Sequence, residues 1–183
     1  MIDGATNSTT TLTDPNAITP NSVAVNPVTN KIYVANTGNY PTANHGNVTV
    51  IDGATNSTTT VTDPNAIAPG GSDARGFGVA VDSTTDKIYV ANAGSHNVTV
   101  IDGATNSTTT VTDPNAVAPS AVAVNEATNT IYVANAGCPF SDCGTFKPGS
   151  VTAIDGATNA VTTVGDPNGR RRPRLLRLTR TLT

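Results

Sequence analysis

The sequence predicts an all-β chain, a partial and open β-propeller of about three four-stranded antiparallel blades plus an N-terminal outer strand. Three observations predict it. The first is repetition. NVTVIDGATNSTTTVTDPNA, Asn47 to Ala66, returns from Asn97 to Ala116, clipped at Met1–Ala17 and eroded at Ser150–Asn168. A long internal repeat outranks local signals when architecture is read from sequence. The second is composition: Thr and Val favour strands, and Asn, Gly, Asp and Pro favour the turns between them. The third is that the central strands are apolar on both faces. In KIYVA, Ile32 and Val34 point one way and Tyr33 and Ala35 the other, whereas a sheet with one wet face alternates polar and apolar. Sheets covered on both sides by copies of themselves are blades. A β-solenoid is the main competitor, but IDGATN recurs after 49, 50 and 53 residues, longer than a solenoid coil. A sandwich gives no reason to repeat.

In the first full copy, strand A is Val23–Val25, strand B Lys31–Ala35, strand C Asn47–Ile51 and strand D Ser57–Thr62. NPVTN separates A from B. A Gly/Asn-rich loop separates B from C. DGATN separates C from D, and Asp-Gly between β-rich runs is a hairpin signal. The blades are residues 22–62, 78–112 and 121–164, preceded by a stub at 1–13. Repeats end near residue 168, and an Arg-rich, non-repeat tail follows at 169–183, foreign in composition and readable as a slipped frame. Met1 stands where Val50 and Val100 precede IDGATN in the other copies. With three blades against the about four to eight of a closed ring, a longer natural array is expected, and self-association through the open blade faces with it.

Charge narrows the partners. The chain carries a net −3, but unevenly. Residues 1–168 hold all 13 acidic residues against four basic ones, and the tail holds six Arg. An acidic body argues against nucleic-acid binding by the repeats, since phosphate needs a basic face. No run of 18 apolar residues suggests a membrane helix.

The phrases VAVNPVTNKIYVAN and VTVIDGATN resemble the YVTN β-propeller repeat family of exported and surface-layer proteins. The motif is written YVAN here, at Tyr33–Asn36, Tyr89–Asn92 and Tyr132–Asn135. The resemblance covers residues 1–168, with repeats about ten residues longer than the family's because of DPNAxAP and loop insertions. It implies the fold and an extracellular, periplasmic or cell-surface setting, and no single activity.

Meander geometry puts the A–B and C–D turns on one face and the B–C and D–A loops on the other. Length varies only on the second face, at 37–46, 70–76, 93–96 and 136–149. Variable loops on a rigid scaffold are where binding sits. His45 and His96 lie there, with Asp73 and Arg75 in the D–A insertion between them. They are the candidate ligand-face residues, for metal binding or acid–base work, although no HxH or HxxxH spacing joins the histidines. Asp52, Asp102 and Asp155 recur, but one carboxylate per copy is too few for calcium, and the Asp-Gly turn accounts for them. Asn36, Asn92 and Asn135 read as turn formers. Cys138 and Cys143 bracket one loop, and in an oxidising compartment a disulfide between them would stiffen it. Five Asn-X-Ser/Thr triplets match the glycosylation pattern, as expected of so much Asn and Thr.

The expected function is a non-enzymatic binding or scaffold module that takes a protein or carbohydrate ligand, with no cofactor and no metal. The alternatives are a lactonase-like hydrolase on the variable-loop face and a gene fragment without independent function.

Overall fold

A computed structural model describes residues 1–38, 46–66, 78–138 and 146–165. The described strands are β1 (Pro20–Asn26), β2 (Lys31–Asn36), β3 (Asn47–Asp52), β4 (Thr58–Val61), β5 (Val79–Asp82), β6 (Lys87–Asn92), β7 (Asn97–Asp102), β8 (Thr108–Thr112), β9 (Pro119–Asn125), β10 (Thr130–Asn135), β11 (Ser150–Asp155) and β12 (Val161–Gly165). They form three antiparallel sheets, β1–β4, β5–β8 and β9–β12, each paired in chain order. Register is conserved between the blades: Ile32 faces Ile51, Ile88 faces Ile101 and Ile131 faces Ile154.

Two differences from the sequence reading concern strand extent. The first strand A is longer than Val23–Val25, and its pairing to β2 carries an irregularity between Pro20 and Ser22. The expected N-terminal outer strand does not form; residues 1–13 hold one isolated bridge, Ile2 to Thr9. The segment folds back on itself instead, with the Asn7 N–H donated to the Asp3 C=O at 2.7 Å.

The turns follow their residues. Asn26 Oδ1 accepts the Val28 and Thr29 N–H groups at 3.0 and 3.3 Å. Asp52 Oδ1 accepts those of Ala54 and Thr55, both at 2.8 Å. Asn30 and Asn56 take positive φ, 52° and 61°, a region Asn tolerates better than most residues. Gly53 N–H then donates to Asn30 C=O at 2.8 Å, which sets the A–B and C–D turns side by side. At the other end, Thr37 N–H donates to Thr19 C=O at 3.0 Å and Ala136 N–H to Ala118 C=O at 2.9 Å. Among the described residues, the B–C and D–A loops therefore share the opposite face, as meander geometry predicts.

The core lies between blades rather than within one. Tyr33, Ala35, Val48, Val50 and Val61 of the first blade pack on Ile88, Val90 and Ile101 of the second. Tyr89, Ala91, Val98, Val100 and Val111 of the second pack on Ile131, Val133 and Ile154 of the third. Fully burying one such side chain contributes about 1.5–3 kcal/mol. The two terminal faces stay open, so Tyr33 and Tyr89 are 0% exposed while Tyr132 is 45% exposed.

The inner strands approach closely. A Cβ on Gly78 would stand 2.7 Å from Ala121 Cα and 2.7 Å from Val122 N. Because those atoms are backbone, they cannot swing away. Gly78→Ala is expected to cost about 1–3 kcal/mol, the usual range for overpacking. It should lower the urea midpoint without changing the slope, and an unchanged midpoint would show that the two blades can separate at no cost.

Candidate functional site

The sequence-predicted site residues are described only in part. His45 lies in the segment 39–45 and Asp73 and Arg75 in 67–77, outside the described residues. His96 is described. It sits at φ 57° in the β6–β7 loop, and its Nδ1 accepts the Ala118 N–H at 3.0 Å. One ring nitrogen thus holds the D–A connection. Beside it, Ser95 Oγ donates to Asn97 Oδ1 at 2.9 Å. Among the described residues, no group of three or more His, Cys, Asp and Glu could hold a metal ion. Cys138 is disulfide-bonded. The chain's other cysteine, Cys143, lies outside the described residues, as does the tail 169–183. The base of that loop is closed by paired bonds between Cys138 and Lys147, both at 2.9 Å.

Beneath the loops runs a polar array that sequence reading missed. Asp63, just after β4, reaches the second blade, where its carboxylate accepts the Thr99 hydroxyl at 2.6 Å and the Thr110 hydroxyl at 3.1 Å. Asp113 does the same to the third blade, at 2.6 Å from Thr152 and 2.7 Å from Thr163. Asp14 does it to the first, at 2.6 Å from Thr49 and 3.1 Å from Thr60. Each of the three described DPN segments is therefore a clamp that fixes the incoming chain to strands C and D of the blade it leads into. The first Thr of each pair is itself held. Asn92 Nδ2 donates to Thr99 Oγ1 at 2.8 Å and to Asn97 Oδ1 at 2.9 Å. Asn36 and Asn135 repeat this with Thr49 and Thr152, each at 2.9 Å. The sequence reading of Asn36, Asn92 and Asn135 as turn formers is thus corrected. They are buried hydrogen-bond donors, placed there because a buried Thr–Asp pair needs a further partner.

A second set of links joins blades on the opposite face. The Lys31 ammonium donates to Gly103 C=O, and that of Lys87 to Gly156 C=O at 2.6 Å. Asn26 Nδ2 donates to Asp86 Oδ1 at 2.8 Å, and Ser83 Oγ to Glu126 Oε1 at 2.8 Å. Every blade joint thus has an apolar middle, a carboxylate clamp on the loop face and a lysine hook on the turn face. The third blade has Thr130 where Lys31 and Lys87 stand.

Electrostatics follow this geometry. Burial pushes the Asp113 carboxyl up, but the hydroxyls of Thr152 and Thr163 and the Asn115 N–H more than offset it, leaving the group below its ordinary value. Asp52, Asp102 and Asp155, in their turns, are lowered first by backbone N–H donors at Thr55, Thr105 and Thr158. Burial, then Asp86 and Asp102, pushes the Tyr33 phenol up to about 12. Two crevices open at the joints under the clamps, with cavity volumes of about 20 and 10 Å³. Both fall short of the about 300–1,000 Å³ typical of small-molecule sites. The described joints are thus filled by contacts that hold blades together.

No protein-family model and no curated protein matches the chain by sequence. Solved structures do resemble it. A chain of a nidogen/laminin complex matches with a TM-score of 0.57 and 15% identity, over 85% of this chain and 50% of that one. Kuenenia stuttgartiensis hydrazine synthase matches at 0.62 and 20%, over 86% and 38%. The tricorn protease matches at 0.53 and 12%, over 77% and 12%. The chain thus spans half or less of each of these chains' length. At such identities the likeness is one of fold: the protein has the three-bladed, open arrangement of a β-propeller-like repeat array.

Proposed function

We propose that the chain is a non-enzymatic β-propeller repeat module of the YVTN type, from an exported or cell-surface protein, presenting its variable-loop face to a protein or carbohydrate ligand. The observation that carries this reading is the use of the recurring polar residues. Asp, Thr, Asn and Lys return in register and bond blade to blade, so the repeat encodes a scaffold, and the non-repeating loops are left to differ. The disulfide at Cys138 supports an oxidising compartment, where such bonds persist. The tie between His96 and the Ala118 backbone favours a loop-holding role for that histidine over general-base chemistry in a lactonase-like enzyme.

The test is a panel of cell-surface polysaccharides and surface-layer proteins, probed with the full chain. Binding is expected to saturate, to fall at least tenfold in Ser95→Glu on the loop face, and to survive Thr55→Glu on the turn face. Hydrolysis of a lactone substrate that disappears in His96→Ala would replace this reading by the enzymatic one.

A further inference from the structure

The turn-face end of each joint holds one polar pair, and the two joints fill it differently. Between the first and second blades, Asn26 Oδ1 caps its own turn and Nδ2 crosses to Asp86 Oδ1 at 2.8 Å. Between the second and third, the register puts Asp82 where Asn26 stands: each faces a lysine across its hairpin, Lys87 and Lys31. Asn129 stands where Asp86 does. Asp86 and Asn129 take positive φ, 52° and 47°. Their backbone C=O groups accept the N–H of Gly103 and Gly156, and a Cβ on either glycine would strike Asp86 Oδ1 or Asn129 Oδ1. Beside this pair, Ser83 and Glu126 bond across the same joint, so the two turns do meet. Asp82 Oδ1 caps its turn, accepting the Thr84 and Thr85 N–H groups at 3.0 and 3.1 Å. Asp82 is 0% exposed, and its Oδ2 is buried without a partner, as is Asn129 Oδ1. Two acceptors thus share one buried site, where a carboxylate oxygen needs a donor.

We propose that Asn129 donates its side-chain N–H to Asp82 Oδ2, the bond that Asn26 makes to Asp86 with the two partners exchanged, and that this pair decides which blades can be neighbours. Half a turn of the Asn129 amide makes the bond, since its oxygen and nitrogen occupy equivalent positions on one planar group. The Tyr89 phenol is not the missing donor. It is buried and unpartnered, but so is that of Tyr33, at the joint where the carboxylate already has its amide. The apolar parts of the two joints are alike, with Ile88, Val90 and Ile101 recurring as Ile131, Val133 and Ile154, so they do not tell one blade from another. The polar pair does. The second blade carries a carboxylate on each face, Asp82 and Asp86, and each neighbour meets it with an amide. A second blade seated on the second blade of another copy would set Asp82 against Asp86, two carboxylates with no donor between them. Such a repulsive contact discriminates between partners as effectively as an attractive one, so the second blade takes only amide-bearing neighbours.

Side-chain amide resonances and urea unfolding of the full chain test this. The Asn129 side-chain N–H protons are expected to exchange with solvent at least about tenfold more slowly than those of the exposed Asn56, and to shift in Asp82→Asn. Asn129→Asp is expected to raise the unfolding equilibrium constant at least about tenfold, because it buries two carboxylates together. Asp82→Asn, which lets two amides meet, is expected to cost less. The double variant Asp82→Asn/Asn129→Asp rebuilds the Asn26–Asp86 arrangement and is expected to return to within about threefold of the wild type, the coupling that neighbouring sites show. Exchange at Asn129 as fast as at Asn56 overturns the proposal. So does an Asn129→Asp chain as stable as the wild type. A double variant no more stable than Asn129→Asp alone overturns it as well.

Discussion

Tyr89→Ala is expected to cost the protein about 3–5 kcal/mol, the range for truncating a large buried aromatic ring. Tyr132→Ala, the same change at the same register position one blade on, is expected to cost less than about 1 kcal/mol, as surface changes do. The difference is one of cover. Tyr89 is 0% exposed between two blades, and Tyr132 is 45% exposed on a free face. Tyr89→Phe separates ring from hydroxyl. The Tyr89 hydroxyl is buried without a hydrogen-bond partner, so its removal should be neutral or slightly stabilising. Urea unfolding of the three variants, measured at a concentration where the chain is monomeric, checks the series. Equal losses at Tyr89 and Tyr132 would mean that the ring is held within its own sheet and not by the neighbouring blade.

Asp113→Ala is expected to be of similar size, about 3–5 kcal/mol, because it removes several bonds to one charged acceptor, each worth about 1.5–3 kcal/mol, with overlap among them. It leaves the Thr152 and Thr163 hydroxyls without that acceptor. The same carboxylate ties stability to pH. Its folded-state pKa lies below the ordinary value, so the unfolded chain binds protons more readily. The stabilisation is therefore complete above the unfolded value of about 3.9 and is lost as pH falls through the folded one. Asp14, lowered by its bonds to Thr49, Asn16 and Thr60 against an opposing burial effect, adds to this in the same window. Melts between about pH 5 and pH 2 should show the decline, and Asp113→Ala should flatten it. A variant as acid-sensitive as the wild type would assign the decline to other carboxylates.

The parts of the fold that were legible in the sequence are those written locally. Asp-Gly and Asn turns declare themselves through their own backbone bonds. Two-faced apolar strands such as KIYVA require cover on both sides whatever supplies it. The clamp was not legible, because its partners lie far apart in the chain: Asp63 is 36 and 47 residues from Thr99 and Thr110. DPN therefore read as a spacer that lengthened the repeat. One signal was available. Asp14, Asp63 and Asp113 each precede their first threonine by 35, 36 and 39 residues, a spacing nearly constant while the loops between them change. The asparagines after YVA were misjudged for a related reason. Asn at a strand end usually makes a turn, and only the neighbouring strand shows that this one faces inward. For the candidate site, the face was predictable from meander geometry, but the role of His96 was not, because its partner is a backbone N–H, which no side-chain pattern announces.

Strands β2 and β6 share the letters KIYVAN, and β3 and β7 share NVTVID. During folding, β2 meets two partners of equal chemistry, and its bonds with β7 would match those with β3 one for one. What separates the outcomes is distance along the chain. About 10 residues lie between β2 and β3, and about 60 between β2 and β7. Loop-closure entropy favours the shorter connection by about 1.5 kcal/mol, roughly a tenfold preference. That margin is thin for a choice made again at each hairpin, and copies of the chain folding side by side face the same ambiguity. Exchange of strands between blades, and between molecules, is thus the failure to which this sequence is most open. Each substitution that makes one repeat unlike the next, as Thr130 and Ser150 do in the third blade, narrows the choice.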